Sequence, residues 1–180
     1  MRSRYLASVL DACVLTPMPI ADLLLRLAES DPPFFRPLWS KHILDEVKNT
    51  LIKFGYTEAQ AMRRIQAMRA AFPEALVAGY ERLIPAMANH PKDRHVLAAA
   101  VRAGADCIVT YNVADFPSAS LDPFGIECIP TEEFLRDQHS LEADGFIAIL
   151  EEARDSSRTL ADLIASLSKH VPKLAGAIKT

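Results

Sequence analysis

The stretch YLASVLD, residues 5–11, decides how the fold of this chain is predicted. Its apolar residues have no helical period, which is typical of a buried β-strand, and Asp11 follows at the carboxyl end. Three more short strands are predicted, around Pro37–Trp39, Cys107–Thr110 and Glu127–Ile129. Segments of helical periodicity separate these strands. This alternation predicts an α/β fold with a central parallel sheet and helices on both faces.

The predicted helices have recognisable ends. Ser40 has the position of an N-cap, and the apolar face of the helix that follows is expected to consist of Ile43, Val47, Leu51 and Phe54. Thr57 and Gln60 have the spacing of a capping box, and Gly104 is expected to end a later helix. Residues 76–78 are compatible with either a strand or a helical turn.

The chain beyond residue 136 is predicted to be a C-terminal helical appendage. Gln138-His139-Ser140 is interpreted as the junction. Two amphipathic helices are expected after the junction, with apolar faces made of Phe146, Ile149, Leu150 and Ala153 and of Leu160, Leu163, Ile164 and Leu167. We therefore predict a first domain of residues 1–136 and a helical extension of residues 137–180.

Composition is that of an ordinary globular protein. The 180 residues carry a net charge of −3, which argues against broad, non-specific nucleic-acid binding but does not exclude a nuclease. No apolar run reaches the ~18 residues of a membrane span, and the run after the basic start is too short for a signal peptide. A cytoplasmic protein without a membrane partner is expected. Cys13, Cys107 and Cys128 have no metal-binding spacing and are expected to be reduced.

Four acidic residues are expected at one edge of the sheet, where parallel strands present their carboxyl ends and ligands usually bind. They are Asp11, Glu46, Asp93 and Asp115. Carboxylates that converge in a partly buried place repel one another unless a cation neutralises them, and Mg²⁺ or Mn²⁺ prefers oxygen ligands. Such an ion can activate water and neutralise charge on a phosphodiester.

Each of these acids, taken alone, also has a purely structural explanation. Asp11 can end a strand, Asp93 can favour a helix N-terminus, Glu46 can be solvated, and Asp115 can form a turn. Their repeated placement at one edge favours a shared site. Two neighbours serve as contrasts: Asp106 precedes its strand, and Asp45 points about 100° away from Glu46 on its helix.

Four segments resemble, in order, the motifs of the PIN-domain family. They are residues 8–15, 40–47, 92–100 and 108–117. The resemblance extends over residues ~5–136 and implies a three-layer α/β/α fold and Mg²⁺- or Mn²⁺-dependent endonucleolytic cleavage of RNA. The chain resembles the VapC-like branch, which implies the toxin of a type II toxin–antitoxin pair, with a cognate antitoxin protein and a homodimer. The helical tail is similar to an extension found on one such branch.

The resemblance also implies the site residues. Asp11, Glu46, Asp93 and Asp115 would bind the metal, and Asn112 would join them as a catalytic residue. Many family members have an acid where this chain has Asn112, whose amide offers an oxygen but no charge. Whether Asn112 or Asp115 completes the site stays open at this point.

Two other functions are compatible with parts of the sequence. Asn112 is also the feature expected of a catalytically inactive PIN-fold module that binds RNA or protein. A phosphatase-like or receiver-like protein would need a lysine after a late strand, and no lysine lies between Lys92 and Lys169.

Several basic residues and histidines have open roles. Either contact with an RNA backbone or simple solvation fits Lys41, Lys48, Lys53, Arg63, Arg64 and Arg69. Arg94 and His95 flank Asp93, so either contact with phosphate or an ordinary surface position fits them. His42 lies near Glu46 in the sequence, and a single histidine there is weak support for a site.

Overall fold

The computed structural model describes residues 5–154 and 159–178. Within them, five strands form one parallel sheet in the order β3-β2-β1-β4-β5. The strands are β1 Ala7–Leu10, β2 Arg36–Ser40, β3 Leu76–Val77, β4 Cys107–Thr110 and β5 Glu127–Pro130. The predicted parallel α/β fold is therefore confirmed, and the ambiguous segment near residue 76 is a strand.

Helices flank the sheet and connect its strands. They are α1 Ala12–Leu15, α2 Ile20–Glu29, α3 Lys41–Lys53, α4 Glu58–Ala71, α5 Arg94–Ala103, α6 Ser118–Leu121, α7 Thr131–Leu141, α8 Ala143–Ala153, α9 Leu160–Leu167 and α10 Pro172–Ile178. In the part of the chain that the structure describes, none of these helices is long and apolar enough to cross a membrane. The three cysteines are free.

Strand β1 is the centre of the sheet and fixes the position of Asp11. All four of its residues are buried, and Val9 pairs with Leu38 on one side and Ile108 on the other. A strand buried on both faces is expected to be continuously apolar, as this one nearly is. The backbone N–H of Asp11 donates to the Val109 carbonyl at 3.1 Å. Asp11 therefore lies at the carboxyl edge of the sheet, between β2 and β4.

The predicted helix ends are largely confirmed. The Ser40 hydroxyl accepts a hydrogen bond from the Ile43 N–H at 3.1 Å, and Thr57 and Gln60 form the capping box. Gly104 ends α5 in the left-handed region, at φ 61°. The placement of Phe54 on the apolar face of α3 is wrong, because Phe54 is the C-cap residue and its side chain is 70% exposed.

The C-terminal helices share the core of the α/β layers. The predicted junction at residues 138–140 is wrong, since α7 continues through it and only Glu142 leaves the helical conformation. Phe146 and Leu150 of α8 are fully buried in the main hydrophobic core, and α8 packs on α2. The predicted α9 residues Leu163 and Leu167 are buried in the same core. A domain boundary at residue 136 remains a prediction.

The shared core can be tested by comparing a buried leucine with an exposed one. Leu150→Ala removes a fully buried side chain from α8 and is expected to lower the free energy of unfolding by about 2–5 kcal/mol. Leu141→Ala, at a side chain that is 78% exposed, is expected to change it by less than about 0.5 kcal/mol. Urea denaturation of the full chain measures both. Equal effects, or a separate transition for the C-terminal helices, would contradict a single core.

Candidate active site

Asp11 is held in one orientation by hydrogen bonds to both of its carboxylate oxygens. As the N-cap of α1, its Oδ1 accepts from the Ala12 N–H at 2.7 Å. Its Oδ2 accepts from the Thr110 hydroxyl at 2.8 Å. Asp11 is only 3% exposed. The carboxylate is therefore oriented in advance of any ligand, at the edge where β1 and β4 end.

Thr110 and Cys13 are members of the site that the sequence prediction missed. The Thr110 Oγ1 also accepts a hydrogen bond from the Asn112 N–H at 3.0 Å, which connects the segment after β4 to Asp11. The Cys13 Sγ lies 3.4 Å from Asp11 Oδ2 and 3.3 Å from Thr110 Oγ1. Burial, followed by the charge of Asp11, raises the pKa of Cys13 to about 12, so its thiol stays protonated. Thr110 could have been found as the polar last residue of an apolar strand.

Asp93 lies in a setting that is unfavourable for a charge. It ends the 3-10 turn Pro91–Asp93, directly before α5, and is 4% exposed. Among the described residues, its Oδ2 has no hydrogen-bond partner, and the nearest basic group is His90 Nδ1 at 3.7 Å. Burial, followed by the charges of Asp11 and Asp115, raises the pKa of Asp93 to about 6. The predicted acids are thus close enough to repel one another.

Glu46 lies beside two histidines. Its Oε1 lies 3.4 Å from His95 Nε2, and the His95 ring stacks on His42 with centroids 3.7 Å apart. Burial raises the pKa of Glu46, but its interactions with His95, His42 and Lys92 outweigh burial, so that pKa lies below the usual value. His95 is 3% exposed, which excludes the ordinary surface position, one of the two roles that the sequence left open for it.

The predicted residues meet at an open cleft of about 600 Å³. Asp11, Glu46, Asp93 and Asn112 line it. Other lining residues, which the sequence prediction did not assign to the site, include Cys13, Lys53, Lys92, Tyr111 and His170. Asp115 does not line the cleft, but it offers a carboxylate oxygen within 4.8 Å of ligand atoms of Asp93 and His90.

The donor set fits a hard divalent cation. Asp11 and Asp93 bring carboxylate oxygens to the cleft, and Asp115 adds a third carboxylate beside Asp93. A bound cation would give the Oδ2 of Asp93 a partner. It would also favour the ionised carboxylate, whose formation is otherwise opposed by burial and by the neighbouring acids. Mg²⁺ and Mn²⁺ prefer such oxygen ligands.

The basic residues divide into structural and cleft-lining groups. Arg64 donates hydrogen bonds to the carbonyls of Leu15 and Thr16, so it holds the end of α1 and is not free to contact RNA. Lys41 pairs with Asp45 at 2.7 Å. Among the basic residues for which the sequence left both RNA contact and solvation open, Lys53 lines the cleft, where Lys92 joins it.

Comparison with known proteins identifies the family. The family model described as "PIN domain" matches residues 7–114. The chain is also 41% identical over 105 residues to a Mycobacterium tuberculosis (strain H37Rv) protein named "Putative ribonuclease VapC50". That match covers 56% of this chain and 62% of the relative, so the chain spans less than two thirds of the relative's length. No solved structure matches the chain. Because the family model covers more than half of the sequence, and the parallel sheet agrees with the predicted fold, this chain belongs to the PIN-domain family.

Proposed function

We propose that this chain is an endoribonuclease that hydrolyses RNA phosphodiester bonds with the help of Mg²⁺ or Mn²⁺. The observation that carries the proposal is the buried Asp93 carboxylate beside Asp11, in a cleft open to solvent; its Oδ2 has no hydrogen-bond partner among the described residues. A phosphodiester brings further negative charge to that place. Carboxylates arranged in this way can accept it only together with a cation.

The proposed ligands are Asp11, Glu46, Asp93 and Asp115, with Asn112 completing the site. When bound, the cation supplies charge neutralisation and polarises the water and phosphate oxygens in the cleft. The Thr110 hydroxyl and the Ala12 N–H keep Asp11 in place, which reduces the reorganisation needed for reaction.

Binding of RNA is proposed to use the other side chains of the cleft. Lys53 and Lys92 would contact backbone phosphates, and their position on an otherwise acidic surface would favour a defined strand path. Tyr111, 40% exposed at the rim, offers a ring on which an unpaired base can stack.

We also propose that the chain is the toxin of a type II toxin–antitoxin pair, active in the cytoplasm as a homodimer and bound by a cognate antitoxin. The support is the VapC name of its relative and the similarity of its motifs to the VapC-like branch. Residues 1–136 would form the nuclease domain and residues 137–180 the extension. His170 on the cleft supports a role of that extension at the site.

The first test is cleavage by carboxamide variants. Asp11→Asn and Asp93→Asn should each reduce Mg²⁺-dependent cleavage of a fluorogenic RNA by more than about a hundredfold, because each removes a charged ligand. Asp45→Asn is the matched control, since Asp45 is bonded to Lys41 away from the cleft. Wild-type rates in folded Asp11→Asn and Asp93→Asn would overturn the proposal. A wild-type protein that binds RNA but never cuts it would favour an inactive binding module.

A second test separates Asp115 from Asn112. Asp115→Asn is expected to weaken Mg²⁺ binding more than Asn112→Ala does, because it removes a charge from the group around Asp93. Calorimetric titration of the purified variants with Mg²⁺ measures the difference. The reverse order of effects would assign the fourth position to Asn112.

A third test uses the stability of the metal-free protein. The pKa of Asp93 is raised from 3.8 to about 6, so the folded state favours the protonated acid. Its contribution to stability is full below pH 3.8 and is lost as pH rises through about 6. At pH 7 in EDTA, Asp93→Asn should therefore be more stable than wild type, by about 1–3 kcal/mol.

The pH dependence provides the control for this third test. The difference in unfolding free energy between Asp93→Asn and wild type should shrink toward pH 4, where wild-type Asp93 is largely protonated. Saturating Mg²⁺ should stabilise only the wild type. The stability of Asp45→Asn should differ little from that of wild type at every pH and with or without Mg²⁺. An Asp93→Asn protein that is less stable than wild type at pH 7 would show that Asp93 is not repelled by its neighbours.

A further inference from the structure

His42, Glu46 and His95 form a cluster whose side chains are drawn from two helices. His42 and Glu46 are four residues apart on α3, so they lie on the same face. His95 is the second residue of α5. One ligand atom of each residue lies within 4.8 Å of the others. Within the described residues, the carboxylates of Asp11, Asp93 and Asp115 do not belong to this group.

Glu46 and His95 have the spacing of two ligands around one ion. Glu46 Oε1 and His95 Nε2 are 3.4 Å apart, longer than the usual 2.9–3.0 Å of an N–H···O hydrogen bond. Two ligands of a tetrahedral ion with bonds of about 2.0–2.1 Å are separated by roughly 3.3 Å. The separation is therefore already that of a coordinated pair.

His95 supplies an independent observation. It is 3% exposed, and across residues 5–154 and 159–178 neither of its ring nitrogens has a hydrogen-bond partner. Buried polar atoms without partners are rare in folded proteins. An ion bound at Nε2 would satisfy the nitrogen that faces Glu46.

We propose that His42, Glu46 and His95 form a second metal site, which binds a transition ion such as Zn²⁺ or Co²⁺. Two imidazoles and one carboxylate select such ions over Mg²⁺, which prefers oxygen ligands and keeps several waters. His42 is exposed, so the ion can enter from solvent and a fourth position is open to water. His42 already offers a ring nitrogen within 4.8 Å of the ligand atoms of Glu46 and His95.

Regulation follows from the double role of Glu46. Glu46 also lines the cleft, so an ion held by His42 and His95 would withdraw its carboxylate from the acidic site. Zn²⁺ should then inhibit RNA cleavage in wild type and inhibit a His42→Asn protein less. This consequence rests on the proposed ribonuclease function, whereas binding of the ion does not.

Co²⁺ is the probe for binding, because tetrahedral Co²⁺ absorbs visible light far more strongly than octahedral Co²⁺. EDTA-treated, full-length protein titrated with Co²⁺ should develop the intense tetrahedral band, and Zn²⁺ but not excess Mg²⁺ should abolish it. His42→Asn should weaken Co²⁺ binding at least about tenfold, since even indirect partners of a metal are worth that much. Because His42 is exposed, the variant should keep the fold.

Two controls locate the ion. His90→Asn changes an exposed histidine beside Asp93 and should leave the Co²⁺ band unchanged. Asp11→Asn should also keep the band while losing RNA cleavage, so failure of the nuclease proposal and failure of the metal site can be told apart.

Three outcomes would overturn the proposal. These are a wild-type protein without the tetrahedral band, a His42→Asn protein with an unchanged band, and a His90→Asn protein that loses the band. The last would place the ion at Asp93 and Asp115.

Discussion

Repulsion among buried carboxylates is the constraint on which the site depends. Asp93 is almost fully buried, and the charges of Asp11 and Asp115 add to the cost of ionising it. The surrounding fold must therefore hold these groups together against their own electrostatics. It does so through β1, whose burial on both faces and pairing with β2 and β4 leave Asp11 little freedom. Acidic groups with unfavourable electrostatics of this kind are common at sites that bind a charged ligand.

The sequence predicted the parts of this arrangement that depend on local pattern. The apolar run that ends at Asp11 predicted strand β1 and the position of this acid. The apolar run Cys107–Thr110 predicted both ends of β4 correctly. The N-cap at Ser40 and the left-handed Gly104 follow from local backbone chemistry, so they were predictable too. Strand β3 has only two residues, too few for a periodic pattern, and was left ambiguous.

Non-local contacts explain what the sequence did not predict. The sequence left either phosphate contact or a surface position open for His95, but six consecutive residues of α5 from His95 to Ala100 are buried. Helix α5 packs against β1, β2 and β4, and the 3-10 segment Glu81–Ala86 also contacts it. The three alanines Ala98–Ala100 permit such close packing. They were the feature of the sequence from which the burial of α5 could have been predicted. The pairing of His95 with Glu46, and the arrival of His170 at the cleft, depend on how distant segments pack.

A crystal structure of the protein grown with saturating Mn²⁺, with anomalous differences collected at the manganese edge, would show whether the carboxylates of Asp11 and Asp93 bind a metal ion. A metal site formed by Asp11 and Asp93 predicts an anomalous peak in the cleft within bonding distance of their carboxylate oxygens. A fully ordered cleft without that peak would contradict it, as would manganese bound only elsewhere.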